Sequence, residues 1–390
     1  MNFSDKFGQI NSNILLDLDI AKRELEAQGR EVINFSIGTP DFPPDKHVID
    51  AVTAALADPE NYKYGMTESP ELVSSVCNWY KRRYGVELTG DNICAVNGSQ
   101  EGIAHIAFPL CNRGDIVLVP DPCYQIFSFG PTMADVKLEY MPLLKENNYL
   151  IDFDAIDKQT ARAAKAMIVS YPNNPTTAHA PREFYERLVA FAKENDIIVI
   201  HDNAYSELVY DYEPGISFLS VDGAMDVGIE FNSLSKTYNL TGLRLSFALG
   251  NAEIIKRFKS FRSQIDYGIC RGIQAAAIAA LDGPQDIVTR NREEYKRRRN
   301  ALCEGLNSIG WRVPLTDSTM FTWFPIPENY TSSTEFTFDL LKKAGVLCVP
   351  GASFGRHGEG YVRMALVQPI EKIEKAVEYI KHSGILGTSD

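Results

Sequence analysis

Short apolar runs rich in β-branched residues recur through the first two thirds of the chain and alternate with longer amphipathic segments. Strands buried on both faces have such nearly continuous apolar sequences, and they are typical of parallel sheets covered by helices. The alternation therefore predicts an α/β protein with a mainly parallel sheet between helices. The predicted strands are Ile93–Asn97, Ile116–Val119, Val136–Tyr140, Ala166–Ser170, Ile197–His201, Val227–Asn232 and Arg244–Leu249.

From about Glu253 the pattern changes to helical stretches followed by short strands and further helices, which predicts a smaller α+β domain. A chain of 390 residues is long enough for two domains. We predict an N-terminal arm (residues 1–45) that packs with the small domain, a large domain (46–283) and a small C-terminal domain (284–390). The elements predicted in the small domain are helices Gln285–Leu306, Ser333–Ala344 and Ile370–His382, and strands Met320–Pro325, Leu347–Val349 and Tyr361–Val367.

Charge and cysteine content restrict the partners and the compartment. Lys plus Arg is 39 and Asp plus Glu is 51, so the net charge is −12, and a chain this acidic should repel a nucleic-acid backbone. No apolar stretch approaches the length of a membrane span, and the polar N-terminus has no signal-peptide core. The seven cysteines are scattered without a C-x-x-C pair. We therefore expect no metal site and a cytoplasmic protein with reduced thiols.

The residues that follow the strands are the first place to look for chemistry, because ligands of open α/β sheets bind beyond the carboxyl ends of the strands. Gly98-Ser99-Gln100-Glu101-Gly102 follows the first strand, and a glycine turn that opens a helix offers free backbone N–H groups to a phosphate. An ordinary turn with Ser99 as the helix N-cap is the alternative. The loop 171–177, with two prolines and two asparagines, is either a rigid set of hydrogen-bonding amides or a plain turn.

Two charged residues follow buried strands. Asp202 ends one of them, and a carboxylate there is costly unless it faces a cation or a protonated ring nitrogen, or caps a turn. His201, before it, is expected to be structural. Lys236, in Ser-Leu-Ser-Lys, lies outside any charge run. A lysine whose pKa is lowered by burial or by a nearby cation can react with a carbonyl.

Two arginines complete the candidate site. Arg244 is predicted to begin the last strand of the sheet, where its guanidinium could bind a phosphate. Arg363 interrupts an apolar strand, and a buried guanidinium needs an anionic partner. A substrate carboxylate suits its planar fork, and a structural ion pair is the alternative.

Taken in their order, these motifs resemble the fold-type I pyridoxal-phosphate aminotransferases of class I/II. The resemblance extends from about Asn34 to about Lys381, and the run S-L-S-K followed by Arg244 is its most specific motif, supported by P-N-N-P-T and D-N-A-Y. It implies a fold-type I large domain with a mainly parallel seven-stranded sheet, pyridoxal 5′-phosphate as cofactor, and a homodimer with shared active sites. It further implies ping-pong transfer of an amino group between an L-amino acid and a 2-oxo acid.

The resemblance also assigns a role to each candidate residue. Lys236 is expected to bind the cofactor covalently and to move a proton at the substrate Cα, and the other catalytic residues are Asp202 and Tyr205. The expected partners of the cofactor phosphate are Ser99, Gln100, Ser233, Arg244 and, from the neighbouring subunit, Tyr64. The ring is expected to contact Tyr124, Asp202, Asn174 and Tyr205. The expected partners of the substrate carboxylate are Gly38, Asn174 and Arg363.

Within the class, segments 98–106, 114–122 and 227–242 resemble the LL-diaminopimelate aminotransferase branch and its alanine- or glutamate-using relatives. The chain departs from that branch at Gln100 (usually Lys), Cys123-Tyr124-Gln125 (Gly-Tyr-Pro), Thr177 (Gly) and Leu243 (Trp). These departures leave the substrate open. Arg262 and Arg271 are either ligands of a distal carboxylate or ordinary helix-face charges.

Two other functions remain open on the sequence alone. A pyridoxal-phosphate carbon–sulfur β-lyase would bind its cofactor with the same residues, since one fold supports several reactions. A non-catalytic effector-binding protein is the second. A nicotinamide dehydrogenase is disfavoured because no G-x-G-x-x-G follows the first strand.

Overall fold

The computed structural model describes residues 13–387. Its helices are α1 (Asn13–Ala27), α2 (Lys46–Ala57), α3 (Pro70–Tyr84), α4 (Ser99–Leu110), α5 (Ile126–Met133), α6 (Lys158–Ala163), α7 (Arg182–Asn195), α8 (Ala224–Val227), α9 (Leu234–Thr237), α10 (Ala252–Arg262), α11 (Arg271–Asp282), α12 (Asp286–Ser308), α13 (Ser333–Asp339), which continues into a π-turn at Leu340–Ala344, and α14 (Ile370–His382). Its strands are β1 (Ile33–Asn34), β2 (Ile93–Val96), β3 (Ile116–Asp121), β4 (Lys137–Pro142), β5 (Ala164–Ser170), β6 (Ile198–Asn203), β7 (Gly228–Ser233), β8 (Ser246–Gly250), β9 (Phe321–Pro325), β10 (Val346–Leu347), β11 (Val349–Pro350) and β12 (Tyr361–Ala365).

The central sheet contains the seven strands predicted from the apolar runs. Within residues 13–387 its order is β2-β8-β7-β6-β5-β3-β4. Strand β8 is antiparallel to both of its neighbours, and the remaining pairs are parallel. Since β8 runs the opposite way, its amino end lies at the same edge as the carboxyl ends of the parallel strands. The loops predicted to contain the reactive residues therefore lie at that edge of the sheet.

Residues along the central strands alternate between two hydrophobic cores. Met167 and Val199 belong to one core, and their neighbours Ile168 and Ile200 belong to the other. Helices cover both faces, so the apolar runs are explained by burial on both sides. The edge strand β4 differs, because most of its residues are exposed. The prediction that this strand is buried on both faces is therefore wrong.

A third core lies beside the sheet and joins the N-terminal segment to the C-terminal elements. It contains Ile33 and Phe35 together with side chains of α12, β9, β12 and α14. Strand β1 pairs with β10, and β11, β12 and β9 form an antiparallel sheet. The predicted strand Leu347–Val349 is thus split between two sheets. The domain boundaries at 45/46 and 283/284 stay a prediction.

Two local predictions at the carboxyl edge of the sheet need correction. Arg244 does not begin β8; it lies two residues before the strand, in the left-handed region at φ 52°. The N-cap of α4 is Gly98, at φ 89°, and not Ser99, which is the first helical residue. Among the described residues, no helix is long and apolar enough to cross a membrane.

Candidate active site

A cavity of about 520 Å³ opens at the carboxyl edge of the central sheet. Eleven of the twelve predicted site residues line it, because each follows a strand end at that edge or lies in the adjoining segments 36–39, 321 and 363. The eleven are Gly38, Ser99, Gln100, Tyr124, Asn174, Asp202, Tyr205, Ser233, Lys236, Arg244 and Arg363. The twelfth, Tyr64, does not line this cavity.

Lys236 lies in the short helix α9, directly after β7. Its Nζ donates a hydrogen bond to the backbone oxygen of Gly38. Burial, together with the positive charges of Arg363 and Arg244, lowers the pKa of Lys236 to about 8. Roughly a tenth of the amine is therefore unprotonated at pH 7, and this is the form that attacks a carbonyl.

Asp202 lies near the end of β6 with its side chain facing the cavity. The residue is buried, and its Oδ1 has no hydrogen-bond partner among the described residues. Burial and, secondarily, the charge of Glu230 raise the pKa of Asp202 to about 7. A buried carboxyl oxygen without a partner is costly unless a ligand supplies a donor.

Tyr205 and Asn174 line the same cavity as this carboxylate. Burial and the nearby Asp202 raise the pKa of Tyr205, so its hydroxyl stays protonated and can donate. Asn174 is buried, and its Oδ1 accepts a hydrogen bond of 2.9 Å from Arg363 Nη1. Tyr124 is anchored by a 2.9 Å hydrogen bond from its hydroxyl to Gln100 Oε1.

The turn before α4 and the loop before β8 form a positively charged pocket. A Cβ on Gly98 would overlap the guanidinium of Arg244, so glycine is required for this approach as well as for the positive φ. Ser233 Oγ accepts hydrogen bonds from Ser246 Oγ (2.9 Å) and from the backbone N–H of Ser235 (3.2 Å). The guanidinium, the hydroxyls of Ser99 and Ser233 and the positive end of α4 can together bind a phosphate.

Arg363 lies in β12, and its guanidinium contacts two phenyl rings. Its Cζ is 4.1 Å from the ring centroid of Phe321 and 4.8 Å from that of Phe354. Its Nη2 donates to Ser36 O at 3.1 Å, whereas its Nε has no partner and no carboxylate forms a salt bridge with it within residues 13–387. Burial lowers the pKa of Arg363 to about 10. The structural ion pair proposed as an alternative is thus absent from the described residues.

Gly38 brings the N-terminal segment close to this arginine. A Cβ at Gly38 would lie 2.6 Å from Cζ of Phe321, so a side chain at this position would displace the ring that stacks on Arg363. The backbone of Gly38 can therefore approach a ligand bound by the arginine.

A second cavity of about 320 Å³ adjoins the first, and the two share Tyr124 and Arg363. It is mostly apolar and receives Leu15, Leu18 and Asp19 from α1. Asp19 and Arg363 are its charged residues within the part of the chain that the structure describes. Gln125, one of the departures from the related branch, also lines it.

Several cavity residues were not predicted. Ser235 directly precedes Lys236 in the S-L-S-K motif, and that position could have predicted its place in the cavity. Thr39 directly follows the predicted site residue Gly38. Phe321 and Phe354 have no local signal, since aromatic residues in strands and turns are usually core. Arg262 and Arg271 line neither cavity: Arg262 is buried against Asp266 and Glu101, and Arg271 donates to Gly65 O.

Comparison with known proteins identifies the family. The model for aminotransferase class I and II matches residues 30–380. The chain belongs to this family. The LL-diaminopimelate aminotransferase of Dehalococcoides mccartyi is 42% identical over 379 residues, which cover 97% of each chain. Among solved structures, substrate-bound BacF from Bacillus subtilis matches with a TM-score of 0.95 at 34% identity over 100% of both chains.

A third relative also has a similar structure. The probable N-succinyldiaminopimelate aminotransferase of Thermus thermophilus matches with a TM-score of 0.89 at 33% identity, covering 95% of this chain and 100% of that one. The aminotransferase therefore has the fold-type I architecture and uses pyridoxal 5′-phosphate. It is an enzyme that transfers amino groups between amino acids and 2-oxo acids, which sets aside the non-catalytic effector-binding alternative.

The polar groups of the cavity match those of pyridoxal phosphate. The partnerless oxygen of Asp202 matches a ring N–H, and the pocket at Gly98 and Arg244 matches a phosphate dianion. Lys236, with its lowered pKa, matches the cofactor aldehyde. The three groups lie on separate strand ends of one cavity, so a single ligand can meet all of them.

Proposed function

We propose that this aminotransferase takes LL-diaminopimelate as amino donor and a 2-oxo acid as acceptor. The observation that carries the proposal is the 42% identity to LL-diaminopimelate aminotransferases over 97% of the chain. Relatives from other bacteria with the same name, such as that of Syntrophobacter fumaroxidans, are up to 43% identical. The second cavity supports it, because it provides room beyond Arg363 and its mostly apolar lining includes Asp19 and Gln125, which can bind the polar far end of a long side chain.

Lys236 is proposed as the residue that binds the cofactor and then moves the proton at the substrate Cα. When bound, pyridoxal phosphate supplies an electron-accepting ring conjugated to Cα. The unprotonated amine of Lys236 would accept the Cα proton of a substrate bound in the cavity, and its lowered pKa places it near the operating pH.

Asp202, Tyr205 and Asn174 are proposed to hold the ring. Asp202 accepts the ring N–H and keeps that nitrogen protonated, which strengthens the electron demand of the ring. The neutral hydroxyl of Tyr205 and the amide of Asn174 donate to the phenolic oxygen. Tyr124, which donates a hydrogen bond to Gln100, would contact the ring.

Arg363 is proposed to bind the α-carboxylate of the substrate through two parallel hydrogen bonds, assisted by Gly38 and Asn174. The distal end of LL-diaminopimelate then lies in the second cavity. Its ammonium group pairs with Asp19, and the amide of Gln125 is available to its carboxylate.

The active site is proposed to be completed by a second copy of the chain. Tyr64 is 76% exposed and packs against Tyr267, with ring centroids 4.9 Å apart. Met66 and Ile265 are also exposed, so these segments form an apolar, aromatic surface suited to a two-fold contact. In such a dimer Tyr64 reaches the phosphate of the partner's cofactor. The seven cysteines, all free thiols, support a cytoplasmic location.

The substrate proposal is tested by absorbance spectra of the purified holoenzyme with single amino acids: LL-diaminopimelate, alanine, glutamate and the aromatic amino acids. The proposal is supported if LL-diaminopimelate converts the yellow form to the pyridoxamine form at a lower concentration than any other amino acid tested. Preference for another donor rejects the substrate but not the class. Release of ammonia and an oxo acid without an acceptor would indicate a β-lyase. Lys236→Ala should abolish turnover, whereas Lys256→Ala, at an exposed position, should not.

The shared site is tested with hybrid dimers. Lys236→Ala and Tyr64→Ala chains are each expected to be impaired at limiting cofactor. Mixing them should produce hybrid dimers with one intact site, which restores about one quarter of the wild-type activity for random pairing. Mixtures no more active than the separate variants would show that Tyr64 does not serve the partner.

A further inference from the structure

Glu230 lies in the middle of β7, fully buried, and no proposed catalytic contact uses it. Four donors converge on its carboxylate. Oε1 accepts from Tyr80 OH (2.8 Å) and Ser217 Oγ (2.8 Å), and Oε2 accepts from the Phe218 backbone N–H (2.8 Å) and His201 Nδ1 (3.0 Å). A buried carboxyl surrounded only by donors is stabilised in its ionised form.

The protonation states of the cluster follow from these bonds. Burial alone would raise the pKa of Glu230, but hydrogen bonds from His201, Tyr80 and Ser217 outweigh it and the pKa is lowered. His201 donates from Nδ1, and its Nε2 faces the Tyr185 hydroxyl at 3.4 Å, which can donate to it. The tautomer with its proton on Nδ1 satisfies both contacts.

The register of the sheet places this charge behind the candidate active site. His201 and Glu230 are paired residues of β6 and β7, and Asp202 is the next residue of β6. Successive side chains of a strand point to opposite faces of the sheet, so Asp202 points away from His201 and from its paired residue Glu230. The side chain of Glu230 therefore lies on the face opposite that of Asp202, displaced by one residue along the strands. The charge of Glu230 is the second cause, after burial, of the raised pKa of Asp202.

We propose that Glu230 is a positioning residue whose buried negative charge, acting through the sheet on Asp202, keeps a proton between that carboxylate and the ring nitrogen of the cofactor. The inference rests on the proposed role of Asp202. A negative charge in a low-dielectric environment favours the protonated form of a nearby base, and both Glu230 and Asp202 are buried in the protein. The other titratable groups facing Glu230 are His201, Tyr80, Tyr84 and Tyr185.

Glu230→Gln separates charge from packing. Its amide oxygen can take the place of Oε2 and accept from His201 and Phe218, while its amide N–H₂ donates to the hydroxyls of Tyr80 and Ser217, which can rotate to accept. The variant therefore keeps all four contacts and removes one charge. Two controls separate other effects. Tyr185→Phe alters the same cluster without changing charge. Glu68→Gln removes a carboxylate bound at β2, three strands away from β6 and roughly 14 Å distant.

The measurement is the ¹⁵N chemical shift of ring-¹⁵N-labelled pyridoxal phosphate bound to the holoenzyme, titrated with pH. Glu230→Gln should lose the ring-nitrogen proton at a pH about one unit lower than wild type, and both controls should titrate as wild type does. An unchanged midpoint in Glu230→Gln would overturn the proposal. If the nitrogen of wild type is unprotonated throughout, the proposed role of Asp202 fails instead.

A second variant covers the case in which Glu230→Gln does not fold. Glu230→Gln combined with Tyr80→Phe removes the hydroxyl that would otherwise have to turn round to accept from the Gln amide, and it still removes the charge. The ring-nitrogen midpoint should then fall by about the same amount as in Glu230→Gln. An unchanged midpoint in this folded double variant would equally overturn the proposal.

Discussion

The guanidinium of Arg244 lies so close to the backbone of Gly98 that no side chain fits between them. Gly98 precedes α4 and Arg244 precedes β8, so the contact joins two loops that are 146 positions apart in the chain. It brings a cation to the amino end of a helix, where both attract the same anion.

Gly98→Ala should therefore weaken cofactor binding. The new Cβ must displace Arg244, and the left-handed backbone is strained for alanine, so the dissociation constant of pyridoxal phosphate should rise at least about tenfold. Fluorescence titration of the apoprotein measures it. Gly114→Ala is the matched control: its φ is 87° and no atom lies near its Cβ position, so it has the strain without the displacement. Equal affinities in the two variants would contradict the assigned contact.

Arg363→Lys should impair substrate binding without impairing cofactor binding. Lysine keeps the charge but loses the planar fork and the stacking on Phe321 and Phe354, so kcat/KM should fall about a hundredfold for every amino donor. Arg299→Lys, at another buried arginine that bonds Asp211 and Thr316 O, should reduce stability but leave kcat/KM unchanged. Steady-state kinetics at saturating cofactor measure kcat/KM for both variants. A similar loss of kcat/KM in both would indicate that Arg363 has a structural role.

The sheet and most of the site could be predicted from local sequence. Apart from the largely exposed edge strand β4, strands β2 to β8 are buried, and their apolar composition reflects that burial. Because parallel strands end at one edge, residues that follow them, such as Asp202 and Lys236, had to meet. Even the misplaced Arg244 lies at the correct edge, since β8 is antiparallel and begins where the others end.

The remaining features depend on contacts between distant segments. Nothing near Phe321 or Phe354 indicates that their rings enclose Arg363, and the approach of Asp19 to the second cavity depends on how α1 packs. Glu230 stands in an apolar run whose pattern marks it as an exception but does not name its four donors. Such long-range arrangements are set by tertiary packing and leave no periodic signal.

The buried carboxyl of Asp202 should make the apoprotein less stable at higher pH. Its folded-state pKa, about 7, lies above the ordinary 3.8, so the folded state binds the proton more tightly than the unfolded state. The stabilising contribution is present below about pH 4 and is lost as the pH rises to 7, by at most about 4 kcal/mol. The Asp202→Asn variant has no carboxyl to ionise at this position, so its stability should not fall in this way. In calorimetry of the apoproteins, the variant should be more stable than wild type at pH 8 and about as stable as wild type at pH 4.

Asp211→Asn is a control for which we expect the opposite change in stability at high pH. Hydrogen bonds from Lys296 and Arg299 lower the pKa of Asp211, so its removal should destabilise the apoprotein at pH 8. A stability difference between Asp202→Asn and wild type that does not change with pH would mean that Asp202 is not buried in the way described.

Asp19 should discriminate between donors by the charge at their far end. It lies on α1 at the second cavity, and its salt bridge to the exposed Arg23, at 2.6 Å, contributes little in water and can be exchanged for a substrate ammonium. Asp19→Asn should lower kcat/KM for LL-diaminopimelate about tenfold and leave that for alanine unchanged, since alanine does not reach the cavity. Asp17→Asn removes the same charge from an exposed position of the same helix and should alter neither donor. Equal effects of Asp19→Asn on both donors would place the distal ammonium elsewhere, and a gain with LL-diaminopimelate would show that Asp19 repels the distal carboxylate more strongly than it attracts the ammonium.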